Sequence, residues 1–136
     1  MSNAAAYDAQ VQAIRTYNQP ILDDFRAWLK QSGLSEKTAK RHVSNIDLFS
    51  MYLVYYDPLK KLDEAHSSDV RMFLSYWAPR KVGWTSVTTV KIFLVSFKKF
   101  FQWMGETGCV SPKTVAGVLT TLKEGRDEFL AKVAEY

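Results

Sequence analysis

Apolar residues recur at three- and four-residue spacing along most of the chain, and no segment keeps the two-residue alternation of a half-buried strand. Tyr7, Val11 and Ile14 open the pattern. Asn18-Gln19-Pro20 is expected to interrupt it, since proline lacks an N–H and restricts the residue before it. Ile21, Leu22, Phe25, Trp28 and Leu29 resume the pattern, and Ser32-Gly33 stops it where glycine caps a helix end well. Ser35 is a favoured N-cap and Glu36 suits the positive end of the helix dipole. Val43, Ile46, Phe49 and Leu53 then define one inward face before Asp57-Pro58 ends the helix.

Residues 59–66 read as a polar connection anchored by Leu59 and Leu62. A short helix is expected from Ser67 or Ser68 to Tyr76 or Trp77, burying Val70, Phe73 and Leu74. Residues 78–83, with Pro79, Gly83 and the cations Arg80 and Lys81, read as a loop. Ser86 caps the next helix, whose wide stripe of Val87, Val90, Phe93, Leu94, Phe97, Phe100, Phe101 and Met104 makes it the expected centre of the core. Gly105 and Gly108 bracket its end. Ser111 followed by Pro112 gives the strongest helix start in the chain. Val115, Val118, Leu119, Leu122, Phe129 and Val133 continue one face to the terminus, with Gly117 and Gly125 each weakening that helix by about 1 kcal/mol relative to alanine. The expectation is all-α: a single-domain bundle of five or six helices, without a repeat or low-complexity tract.

Composition narrows the function classes. With 136 residues there is room for one domain and little more. One cysteine, Cys109, excludes a disulfide framework or a thiolate metal cage within one chain. His42 and His66 cannot build a metal site without carboxylates; His42 is expected on a basic helix face near Arg41, and His66 as a local cap or surface residue. The neighbouring carboxylates Asp23-Asp24, Asp63-Glu64 and Asp127-Glu128 point about 100° apart on a helix, which suits solvated faces better than acid–base pairs. No glycine-rich phosphate loop, cofactor motif or activated nucleophile stands out, so no cofactor and no enzymatic activity are expected of this chain. No apolar run reaches the ~20 residues that span a bilayer, and no basic-then-apolar leader opens the chain; a cytoplasmic, membrane-free protein is expected.

Charge placement says more than its total. The formal net charge is +4, yet residues 70–105 hold Arg71, Arg80, Lys81, Lys91, Lys98 and Lys99 with no acid among them. Two basic clusters stand at helix starts. In the first, Lys37, Arg41 and Ser44 share a face, and Lys40 pairs with Ser44 four residues on. The second runs from Arg80 and Lys81 through Trp84, Thr85 and Ser86 to Thr88 and Lys91, with Thr88 and Lys91 on one polar face while Val87, Val90, Phe93 and Leu94 point inward. Cations, hydroxyls and helix-terminal amides together suit phosphate oxygens. Trp84 reads either as a stacking residue for a sugar or base or as a packing anchor.

The order of these motifs resembles the N-terminal core-binding domain of tyrosine recombinases, the phage integrase family, also called the SAM-like integrase domain. The matching pieces are residues 21–29 (ILDDFRAWL), 33–38 (GLSEKT), 46–49 (IDLF) with Leu53, 68–74 (SDVRMFL), the helix start at 84–89, and 97–104 (FKKFFQWM) followed by Gly108. The resemblance covers about residues 20–110, leaving 1–19 as an N-terminal helical extension and 111–136 as a C-terminal helix packing on the bundle or on a partner. It implies a bundle of four or five helices forming half of a clamp on double-stranded DNA, with the helices starting at Ser35 and Ser86 facing the DNA. The DNA-contact set that follows is Lys37, Lys40, Arg41, Ser44, Arg80, Lys81, Thr85, Ser86, Thr88 and Lys91.

The sequence departs from that family pattern in two ways. Members continue into a catalytic domain bearing arginines, a histidine and a tyrosine nucleophile, whereas this sequence stops at Tyr136, which is not that tyrosine. Where members pass through Asn-Pro into a linker, Val110-Ser111-Pro112 here starts a helix. Two origins fit, a piece of a recombinase or a free-standing binder. The competing function is a helical protein-interaction module that kept the fold without DNA binding, with other recombinase subunits or a second copy meeting the C-terminal helix.

Overall fold

The computed structural model describes residues 3–82 and 86–134. Every regular element among them is helical. They gather into two compact units, one within Met1–Glu64 and one within Ala65–Tyr136.

The first unit is a helical hairpin. Helix α1 spans Asn3–Gln31 and α2 spans Glu36–Leu53. Gly33, at φ +100°, makes the turn between them; a side chain there would be strained although no atom crowds the site. Ser35 caps α2 as expected, its Oγ accepting from the Thr38 N–H at 3.1 Å. Phe25, Leu29, Ala39, Ile46 and Phe49 are fully or almost fully buried. A short 3₁₀ turn, Leu62–Glu64, follows α2 and returns to α1: buried Asn18 accepts a hydrogen bond from the Leu62 N–H at 3.1 Å.

Pro20 does not interrupt α1, contrary to the sequence expectation. Proline deprives one carbonyl, that of Thr16, of its helical donor. Pro20 and Thr16 are both exposed, so water can take that carbonyl, while Ile14, Asn18, Leu22 and Phe25 are buried at helical spacing on either side. Packing of that stripe outweighs the local break. The inward face of α2 also differs: the buried stripe is Ala39, His42, Ile46, Phe49, Ser50 and Leu53. His42 is therefore not on the basic face but 5% exposed, and Val43 is only half-buried.

The second unit starts with α3, Ser67–Met72, continuous with a π-helical turn over Phe73–Trp77 and then α4, Ala78–Lys81. The Asp69 carboxylate accepts from the His66 N–H at 2.8 Å, fixing the start. Residues 78–81 are helical where the sequence suggested a loop. The wide turn sets the Ala78 N–H on the Phe73 carbonyl, and Pro79 follows at a first-turn position of α4, where a missing N–H costs little.

Helix α5, Val87–Glu106, is the core helix that its stripe predicts: Phe97, Phe100, Phe101 and Met104 are completely buried. Val87, 41% exposed at the first turn, and Leu94, half-buried, are the exceptions. Phe73, Phe93 and Phe97 form a ring cluster with centroid separations of 5.7–6.4 Å, joining α5 to the π turn. The expected final helix is two, α6 (Pro112–Glu124) and α7 (Arg126–Ala134), both packed on α5. Val118, Leu122, Phe129 and Val133 are buried and Val115 and Leu119 are half-buried, so most of that apolar stripe packs within its own unit.

Gly125 explains the break. Its own N–H still bonds the Thr121 carbonyl at 2.9 Å, but a Cβ there would lie 2.6 Å from the buried Phe129 ring and 2.9 Å from that same carbonyl. Gly125→Ala should therefore cost about 1–3 kcal/mol through overpacking, despite alanine's better helix propensity. A urea melt followed by far-UV ellipticity checks it; an unchanged midpoint would mean that the Phe129 ring has room to move.

Candidate nucleic-acid interface

The first basic cluster stands on the opening turns of α2. Lys37, Lys40, Arg41 and Ser44 are all exposed, and none of the three cations has a carboxylate partner among the described residues. The buried stripe of Ala39, His42 and Ile46 turns the other way, which holds the four toward solvent. The Ser35 hydroxyl hydrogen is used within the cap: Oγ accepts from the Thr38 N–H and donates to Thr38 Oγ1 at 3.0 Å.

The α1–α2 turn brings in two cations that the sequence pattern did not single out. Arg26 and Lys30, one turn apart on α1, both pair with Glu36, Lys30 at 2.9 Å. Exposed pairs such as these add little stability. Their electrostatic effect is larger: the one acid in the first turn of α2 is neutralised from behind, so Lys37, Lys40 and Arg41 keep their field. The four-residue spacing of Arg26 and Lys30 was visible in the sequence; their nearness to Glu36 depends on the turn at Gly33.

The second cluster belongs to the second unit. Arg80 and Lys81 close α4 and are exposed. The Arg80 guanidinium lies over the Tyr76 ring, 4.2 Å from its centroid, and donates to the Tyr76 carbonyl at 3.3 Å. That stack limits the rotamers of Arg80 and leaves Tyr76 45% exposed beside it. The helical turn over 78–81 makes this contact possible, because it places residues 76 and 80 one turn apart.

Thr85 and Trp84 lie outside the described residues. Ser86 caps α5, its Oγ accepting from the Thr89 N–H at 3.4 Å, so its hydroxyl hydrogen can still be donated outward. Thr88 and Lys91 are exposed on the first turns of α5, and Lys91 has no carboxylate partner among the described residues. Val87, exposed one turn before Lys91, shares this solvent side in place of the core position expected for it. Arg71 leaves the cationic reserve of residues 70–105, since it pairs with Glu128 at 2.8 Å.

Each unit thus presents a helix N-terminus carrying exposed cations, and in neither does an unneutralised acid stand in the first turn. Positive dipole ends, amides and cations are chemically matched to phosphate. Among the described residues, no helix is long and apolar enough to cross a membrane. No curated protein and no solved structure matches the chain. A family model described as phage integrase, N-terminal SAM-like domain, matches residues 21–111, a stretch that contains both helix-start clusters. The order of motifs, the all-helical fold and that match agree, and the chain belongs to the phage-integrase N-terminal SAM-like domain family.

Proposed function

We propose that the chain binds duplex DNA as the core-binding half of an integrase-type recombinase, holding the backbone and major groove without itself cutting a strand. The observation that carries this reading is the coincidence of the matched family stretch with two basic helix starts. Lys37, Lys40, Arg41 and Lys91 supply charge, Arg80 and Lys81 supply charge from the end of α4, and Ser44, Thr85, Ser86 and Thr88 supply hydroxyls. Most of these are phosphate contacts, which orient a protein on the duplex but carry no sequence information by themselves. The catalytic arginines, histidine and tyrosine of such recombinases belong to a different domain from the one matched here, so the chain's own contribution is grip.

A mobility-shift titration on duplex DNA at two salt concentrations tests this. The wild type should lose affinity steeply as salt rises, because each phosphate contact releases condensed counterions. Lys81→Ala/Lys91→Ala should bind more weakly at low salt, by about tenfold, and should show a shallower salt slope. Equal binding by the two proteins would remove the second cluster from the interface.

A further inference from the structure

Along one side of the second unit, α5, α6 and the start of α7 leave an open groove of about 610 Å³. Its apolar lining comes from Leu94 and Val95 on α5 and from Leu119 and Leu122 on α6. Around that lining stand four cations, Lys91, Lys98, Lys123 and Arg126, and among the described residues no carboxylate lines the groove. All four are exposed, and none has an ion-pair partner among the described residues. Lys91, Leu94, Val95, Lys98 and Gln102 follow at spacings of three, one, three and four, a single stripe of α5 about 16 Å long.

These features select among occupants. A nucleic-acid backbone would meet the cations but would strip water from its phosphates against leucine and valine without return. A fully apolar surface would leave four cations facing it unpaired. A three-turn amphipathic helix with acidic side chains flanking its apolar face meets both requirements, leucine-type anchors in the groove and carboxylates at its edges. We infer that this groove is a docking site for an acidic amphipathic helix of a partner protein. The site is separate in kind from the DNA contacts proposed above and does not depend on them; Lys91 alone belongs to both sets. A partner seated here would compete with DNA for that one cation, which gives it a route to modulate DNA binding.

The test uses the full chain and a fluorescein-labelled peptide of about 14 residues, with four leucines on one helical face and glutamates on both flanks. Fluorescence anisotropy should show saturable micromolar binding. A peptide of the same composition with its leucines scattered around the helix should not bind. Lys98→Glu/Lys123→Glu should weaken binding by about tenfold or more. Val95→Glu, at a position already 45% exposed, should do the same without disturbing the core. Circular dichroism confirms that both variants remain folded. The charge-matched pair Arg15→Glu/Lys113→Glu, neither of which lines the groove, should bind the peptide as the wild type does.

Equal affinity for the two peptides, or for wild type and the Lys98/Lys123 variant, would overturn the proposal. So would self-association of the wild type that the same variant abolishes, which would seat a second copy in the groove. Duplex DNA affinity that falls as far as peptide affinity in that variant would assign these cations to the DNA instead, and would also overturn it.

Discussion

Replacing Phe97 by alanine is expected to remove about 3–5 kcal/mol from the stability of the second unit, enough to unfold much of it at ambient temperature. The residue is completely buried on α5. Its ring meets Phe73 edge-on at a centroid distance of 5.7 Å and lies 6.4 Å from Phe93. Phe73 in turn stacks on Trp77 at 5.7 Å. The cluster thus links the core helix to the π-helical turn, and through that turn to the short α4 that positions Arg80. Truncation removes the transfer energy of a phenyl group and leaves a cavity that the neighbouring rings of Phe73 and Phe93, on two elements, cannot close together. A urea melt followed by far-UV ellipticity measures the loss. Val95→Ala on the opposite, exposed side of α5 is the comparison and should change stability by under about 0.5 kcal/mol. A Phe97→Ala loss no larger than that would mean the ring cluster does not carry this unit.

Much of this was legible in the sequence, because helix caps and three-four periodicity are local. Ser35, Ser86 and Ser111 each accept the bond that an N-cap should, from Thr38, Thr89 and Thr114. The stripe of α5, Val87 and Leu94 apart, fell on its core face for the same reason. What local pattern could not supply was the outcome of competition with packing. Pro20 argues for a break, yet the buried positions on both sides of it hold α1 straight through. Pro79 argues for a loop, yet a one-residue widening of the preceding turn lets the helix restart around it. His42 is polar, and only the register of the α2 stripe reveals that it faces inward.

The site divides along the same line. Exposed cations at helix starts are readable from capping and charge, and Lys37, Lys40, Arg41, Thr88 and Lys91 are all exposed as their spacing suggested. Pairings across the chain are not readable in that way. Arg71 is spent on Glu128, 57 residues away, while Arg26 and Lys30 become relevant only because the Gly33 turn carries them to Glu36. The basic groove on α5 and α6 was half visible: Lys91 and Lys98 share a helical face in the sequence, but Lys123 joins them only through the packing of α6 on α5, and Arg126 only where α7 starts beyond Gly125.

Removing the first basic cluster should have the largest effect on the proposed DNA binding. Six cations in the contact set, Lys37, Lys40, Arg41, Arg80, Lys81 and Lys91, give an expected salt slope of about −5 in log affinity against log salt if all meet phosphates. Lys37→Ala/Lys40→Ala/Arg41→Ala deletes three of them. The slope should then become shallower by about 3, and affinity at low salt should fall on the order of 10²–10³-fold. The loss should be nearly uniform across duplex sequences, because phosphate contacts do not read bases. It should also shrink as salt rises, since the counterions that these side chains displace are then worth less to release. Folding is not at issue in this variant: the three side chains are exposed, and alanine favours a helix at each position. Filter binding at several salt concentrations, with two unrelated duplexes of equal length, measures slope and uniformity together. A triple variant that keeps the wild-type slope would mean that the α2 start does not touch DNA. A loss confined to one duplex would instead mean that these residues read bases. Because Glu36 is already neutralised by Arg26 and Lys30, a surviving slope could not be blamed on a masked field at the α2 start, so the comparison bears directly on contact.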